Sequence, residues 1–146
     1  MKIQLNKTRF AVIDKKDFPL IKDKNWCLHK SRGRFYAACW DKNNRRILMH
    51  CFILGKTNKG YEIDHINGDG MDNRRINLRV CTHSQNMLNM KITSRNTSGY
   101  KGVHFHKKLN KWRARICVNG RKICLGVFSD IKEAAKAYSS FSKTLA

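Results

Sequence analysis

Short apolar runs separated by polar turns occupy the first third of the chain. The runs FAVID (10–14), WCLH (26–29), FYAACW (35–40) and ILMHCFI (47–53) have the length and the β-branched or aromatic content of strands or short buried segments. Pro19 interrupts the one early helix candidate, so the pattern predicts an irregular, mostly β N-terminal part. From residue 61 the texture changes to Asn, Asp and Gly, which favour turns and left-handed backbone. A helix is predicted to start at Thr82, where Thr82-His83-Ser84-Gln85 has the form of a capping box ahead of Met87 and Leu88. The polar stretch KITSRNTS has no apolar rhythm, which places a linker at 93–98.

The clearest pattern lies in residues 99–146. Trp112 to Val118 alternates strictly, and Asn119-Gly120 follows as a strong two-residue hairpin signal. Folding on that turn opposes Cys117 with Lys122, Ile116 with Ile123, Arg115 with Cys124 and Ala114 with Leu125. Opposed residues share a face, so Trp112, Ala114, Ile116, Ile123 and Leu125 form an apolar side. Arg113, Arg115, Cys117, Lys122 and Cys124 form the other, and a slip by one residue would bury the cations. His104 and His106 stand in VHFH, whose Val103 and Phe105 turn inward. Ile131, Ala134, Ala135, Tyr138, Phe141 and Leu145 repeat at helical spacing, with Ser129 or Asp130 as cap. That stripe is expected to cover the apolar side of the sheet and leave the cationic side open.

Charge narrows the partner. Against 10 Asp+Glu stand 31 Lys+Arg, a net +21 spread along the whole chain. A folded protein this basic repels itself, and a polyanion is the usual reason to tolerate it; nucleic acid fits best, through counterion release. A ribosomal-type or RNA-binding basic protein shares this trait. The six cysteines include no C-x-x-C pair, so no structural zinc is expected. A zinc site from His104, His106, Cys117 and Cys124 is disfavoured, because a flat sheet does not converge four ligands. No signal peptide is legible, and the longest apolar run, 47–54, is far too short for a bilayer. The expectation is a cytoplasmic protein with no membrane partner.

Hydrolysis of a phosphodiester needs an activated water, a cation beside the phosphate and a stabilised leaving oxygen. Asp64-His65 supplies a carboxylate for the cation and an imidazole for the water, pointing oppositely along a strand. Polar, turn-rich stretches then deliver Asn77 and, on the first turn of the predicted helix, Asn86. A calcium loop begun at Asp64 would place Ile66 at its third position and Arg75 at its twelfth, where an acid belongs.

The run IDHINGDGMDNRRINLRVCTHSQNMLN resembles the HNH endonucleases of phages and mobile introns. The likeness rests on Asp64-His65, Gly68-Asp69, Asp72-Asn73, Asn77-Leu78-Arg79, Thr82 and Asn86. It implies a ββα-metal unit with His65 as general base and Asp64 and Asn86 as metal ligands. Asn77 would orient the His65 ring by a hydrogen bond. An oxygen-rich set of this kind suits one divalent cation, Mg²⁺ or Mn²⁺. His50 matches a histidine common upstream in such proteins; the structural role is favoured for it.

Residues 99–146 resemble the AP2/ERF DNA-binding domain, three antiparallel strands on one helix, through Tyr100, Gly102-Val103, Lys111-Trp112, Leu125-Gly126, Phe128, Glu133-Ala134-Ala135 and Ala137-Tyr138. That resemblance implies DNA contacts from Lys101, His104, His106, Arg113, Arg115 and Lys122. Arginines usual in the family are His104 and His106 here, and an aromatic is Cys124, so its sequence preference does not carry over.

The expected architecture is α+β: an N-terminal β region plus HNH unit over 1–92 (core 45–92), a linker at 93–98, and an AP2-like domain at 99–146. The expected function is metal-dependent cleavage of double-stranded DNA, homing-type and encoded by a phage or mobile element, by a monomer or weak dimer. A DNA-binding regulator with an inactive HNH unit is the alternative.

Overall fold

A computed structural model describes residues 1–31 and 33–145. Helices are mixed with several small antiparallel sheets, as an α+β chain requires. Two compact units form, Met1–Thr82 and His83–Ala146.

In the first unit, β1 (Lys2–Gln4) and β2 (Phe10–Val12) pair as a hairpin, and α1 (Phe18–Ile21) follows. Strands β3 (Cys27–Ser31), β4 (Arg34–Trp40) and β5 (Arg46–Leu48) build a three-stranded sheet with β4 central. Two sequence expectations change here. Pro19 does not break α1 but sits in its first turn, where a missing N–H costs nothing. The run 47–53 is not one segment: it leaves β5 at Leu48 and coils into α2 (Met49–Leu54). Coiling turns Met49, His50 and Ile53 inward together, a grouping that strand alternation would split. Ala11, Ile13, Ile21, Trp26, Ala37, Cys39, Met49 and Ile53 form the core.

Strands β6 (Tyr61–His65) and β7 (Leu78–Thr82) pair against each other, His65 opposite Leu78 and Asp64 opposite Arg79. Their long connection is bound to β2: Val12 N donates to Met71 O at 2.8 Å and Asn73 N to Val12 O at 2.7 Å. Gly70 lies so close to β4 that an added Cβ would stand 2.4 Å from Phe35 O and 2.5 Å from the Tyr36 ring. Only glycine allows that approach.

In the second unit α3 (His83–Asn89) comes first, with Thr82 preceding it as the sequence predicts. The division of the chain thus falls at Thr82/His83, ahead of the expected linker. The grouping has a local cause. Asn119 N donates to Ser84 Oγ at 2.8 Å, and the Lys101 ammonium donates to the carbonyls of Leu88 and Met90.

Strands β8 (Val103–His106), β9 (Lys111–Val118) and β10 (Arg121–Phe128) lie in the order β10-β9-β8, with α4 (Ile131–Lys143) packed on them. Asn119 and Gly120 turn the hairpin with φ of 49° and 76°. The pairs Cys117/Lys122, Ile116/Ile123 and Arg115/Cys124 form as predicted, but Ala114 faces Gly126, not Leu125. A bulge between Cys124 and Gly126 shifts the register. It lets both Leu125 and Phe128 reach the core, since Phe128 now opposes Trp112. Asp130 caps α4 through Lys132 N and Glu133 N.

Candidate active site

His65 ends β6 at 4% exposure, its imidazole enclosed by rings from two other elements. His50 of α2 meets it edge-on, with centroids 4.6 Å apart and planes at 80°. Tyr36 of β4 lies 6.1 Å from each imidazole. His65 Nε2 lies 3.4 Å from Asn73 Oδ1. Burial lowers the His65 pKa, partly offset by the Asn73 contact and by the carboxylates of Asp64, Asp69 and Asp72. The imidazole is therefore neutral at pH 7, the form that accepts a proton. His50 is pushed further, down to about 3, by burial and then by His65, and among the described residues its Nδ1 is buried without a hydrogen-bond partner.

Asp64, one residue back, points from the other face of β6 and is also buried. Arg79 reaches across from β7, its Nε and Nη2 donating to Asp64 Oδ2 at 3.3 and 3.2 Å. That pair fixes the carboxylate and balances part of its charge.

Asn77 does a different task from the one expected of it. Its Nδ2 donates to Asp72 O at 2.7 Å and to Asn67 Oδ1 at 3.0 Å, while its Oδ1 accepts from Asn67 N at 3.0 Å. Asn77 thereby closes the β6–β7 connection on itself, and Asn73 is the amide that faces the imidazole. Asn73 is fully buried, and its own Nδ2 donates to Met71 O at 3.2 Å. Sequence reading missed this part; the only signal was the position of Asn73 inside the Asp72-Asn73 pair. It also missed the clamp beneath. Arg75 forks onto Asp17 (Nη2 to Oδ1 2.8 Å) and its backbone N donates to Asp14 Oδ2 at 2.8 Å. Partners so far apart in sequence carry no local pattern.

Asn86 lies half-buried on α3, in the second unit. Among the described residues no cluster of three or more His, Cys, Asp or Glu side chains is placed to hold a metal ion. The donor set that the sequence suggests is of another kind, one carboxylate and one amide oxygen. Hard oxygen donors of this sort fit Mg²⁺ or Mn²⁺.

On the β8–β9–β10 sheet, strand pairing sets His104 opposite Arg113, His106 opposite Lys111, Cys117 opposite Lys122 and Arg115 opposite Cys124. These residues share the side away from the Val103–Ala114–Ala134 core. His104 is held below its usual pKa by burial, then by Arg115 and Arg113. His106 uses Nδ1 to accept from Leu109 N at 3.3 Å. Lys101 is committed to the end of α3, as described above.

Residues 52–88 match the family described as HNH endonuclease. Protein 3.8 of Escherichia phage T7 is 35% identical over 95 residues, covering 65% of this chain and 75% of that protein. Residues 52–88 are an HNH endonuclease domain. An uncharacterized HNH endonuclease of Acanthamoeba polyphaga mimivirus is 27% identical over 142 residues, 95% of this chain and 72% of that protein. No solved structure matches. The HNH match spans α2 to α3, and so includes His65, Asn73 and Asn77. An HNH endonuclease domain implies a DNA substrate. Among the described residues no helix is long and apolar enough to cross a membrane.

Proposed function

We propose that this HNH protein is a metal-dependent endonuclease that hydrolyses phosphodiester bonds in duplex DNA, with His65 as general base. The observation that carries the reading is the buried imidazole of His65, packed against the His50 and Tyr36 rings and one residue from a buried carboxylate. His65 would take a proton from the attacking water on the nitrogen not turned to Asn73. The rings of His50 and Tyr36 hold its plane, so the imidazole needs no reorientation when substrate arrives. Asp64, steadied by Arg79, would supply a carboxylate to the divalent cation. When bound, such a cation offsets charge on the phosphate and the departing oxygen.

The second unit would bind DNA in the AP2-like manner, through the sheet side carrying His104, Arg113, Arg115 and Lys122. It would act as a site-preferring, homing-type protein, and the phage and mimivirus relatives support action inside a host cell.

Supercoiled plasmid incubated with Mg²⁺ or Mn²⁺ tests the enzyme reading. Wild type is expected to nick only with the cation, and His65→Ala to be slower by about 10²- to 10⁴-fold, the usual worth of a general base. His65→Ala should still retard duplex DNA on a gel. Equal nicking by both proteins, or none by either, overturns the assignment.

A further inference from the structure

Ile76 is 83% exposed, the highest value for a large apolar side chain among the described residues. Leaving such a side chain in water forgoes about 1.5–3 kcal/mol of burial. Nothing in its own turn accounts for that, because the turn is held by its neighbours. Ile76 is the middle residue of the 3-10 turn Arg75–Asn77. Arg75 is clamped to Asp17, Asp14 and Ile53 O, Asn77 to Asn67 and Asp72, and Arg74 forks onto Asp72. An exposed aliphatic side chain thus stands on one of the most firmly pinned stretches of the first unit.

Its location points to the partner. Asn77 O accepts from Ile66 N at 2.8 Å, and Ile66 directly follows His65. The turn is therefore one backbone hydrogen bond from the residue that follows the proposed base. Arg74, two residues before Ile76 and 49% exposed at its side chain, is paired with Asp72, and the chain as a whole carries +21. A polyanion with an apolar interior is the complement of a rigid aliphatic tip on a chain of net +21. Duplex DNA is that partner: its stacked bases offer apolar faces between two phosphate rails.

We propose that Ile76 is a wedge that enters a base step of the bound duplex beside the phosphate to be cut, unstacking it and kinking the helix. The inference rests on the endonuclease reading of His65. Side chains of this type enter from the minor groove and bend DNA by about 20–90°. The kink opens the backbone at the step facing the imidazole.

The test uses the full chain. Wild type with Mg²⁺ or Mn²⁺ first maps the cut on a long duplex. Duplexes spanning that cut, with 2-aminopurine at successive positions, are then bound by His65→Ala. The expected result is a fluorescence rise at one step near the cut. His65→Ala/Ile76→Ala should lose the rise while keeping its melting temperature and the salt slope of binding; His65→Ala/Ile76→Leu should keep it. Binding without unstacking, or unstacking that survives Ile76→Ala, overturns the wedge and leaves the endonuclease reading intact. Absence of cleavage or of DNA binding by wild type overturns both. A dimer in sedimentation that Ile76→Ala dissociates would make a second copy the occupant, and so also overturns it.

Discussion

His50 places an imidazole where a proton is hard to add. It is 5% exposed, and its pKa falls to about 3 through burial and the adjacent His65. In the unfolded chain the same group titrates near 6.5. Between those values the unfolded state binds a proton that the native state refuses, so stability is full above pH 6.5 and drains as pH falls. The expected loss from this group is about 2 kcal/mol at pH 5, on the order of 5 kcal/mol by pH 3. Urea denaturation at pH 7.5 and pH 5 should show the drop, and His50→Phe should make it shallower. An unchanged slope in that variant would place the acid sensitivity elsewhere. The same residue shows why sequence alone favoured a structural role for it: its meaning comes from Tyr36 and His65, which no spacing rule brings together. Asp64 and His65 were legible because adjacency on a strand already gives them opposite faces. Asn73 was not, because which of several amides in a turn reaches the ring depends on how the connection closes.

At the scale of elements, legibility follows the regularity of the pattern. The β9–β10 hairpin could be written down from alternation and Asn119-Gly120, since two-residue turns fix the register. The bulge at Gly126 could not, because it answers a packing demand from α4, which wants both Leu125 and Phe128. Pro19 misled for a related reason: the rule against proline applies to helix interiors, and α1 begins there. Close contacts between elements yield a sharper expectation. Gly102 has φ of +68°, and a Cβ there would stand 2.1 Å from the Tyr138 ring and 2.5 Å from Arg115 O. Gly102→Ala must force α4 off the sheet and strain the backbone as well. It is expected to cost about 3 kcal/mol or more, read as a lowered melting temperature of the full chain. A cost below 1 kcal/mol would show that α4 shifts freely.

The molecule as a whole is a cation with its charge on both units, and binding should report that charge through salt. Each neutralised phosphate contributes about 0.9 to the slope of log K against log salt. Arg113 and Arg115 share the open side of their sheet with His104 and Lys122, so Arg113→Ala with Arg115→Ala is expected to flatten the slope by about 1.8. Gel shifts from 50 to 300 mM salt on one duplex would measure it. A slope that does not move would assign DNA contact to other cations. Charge of this kind is visible in composition, whereas the Asp17–Arg75 clamp, which ties the ends of the first unit together, appears only once the chain is folded.

The connection between β6 and β7 is held by the amides and carboxylates of Asn67, Asp69, Asp72, Asn73 and Asn77 more than by apolar contact. A hydrocarbon core can trade one shape for another of equal volume. This loop cannot trade so freely, because each position is defined by which atom gives a proton and which receives it. Asp in place of Asn77 matches its outline, yet would set oxygen against the oxygens of Asn67 and Asp72. Near the imidazole, then, the protein's freedom to vary is limited by polarity at single atoms, and replacements that look gentlest by size are the ones it can least absorb.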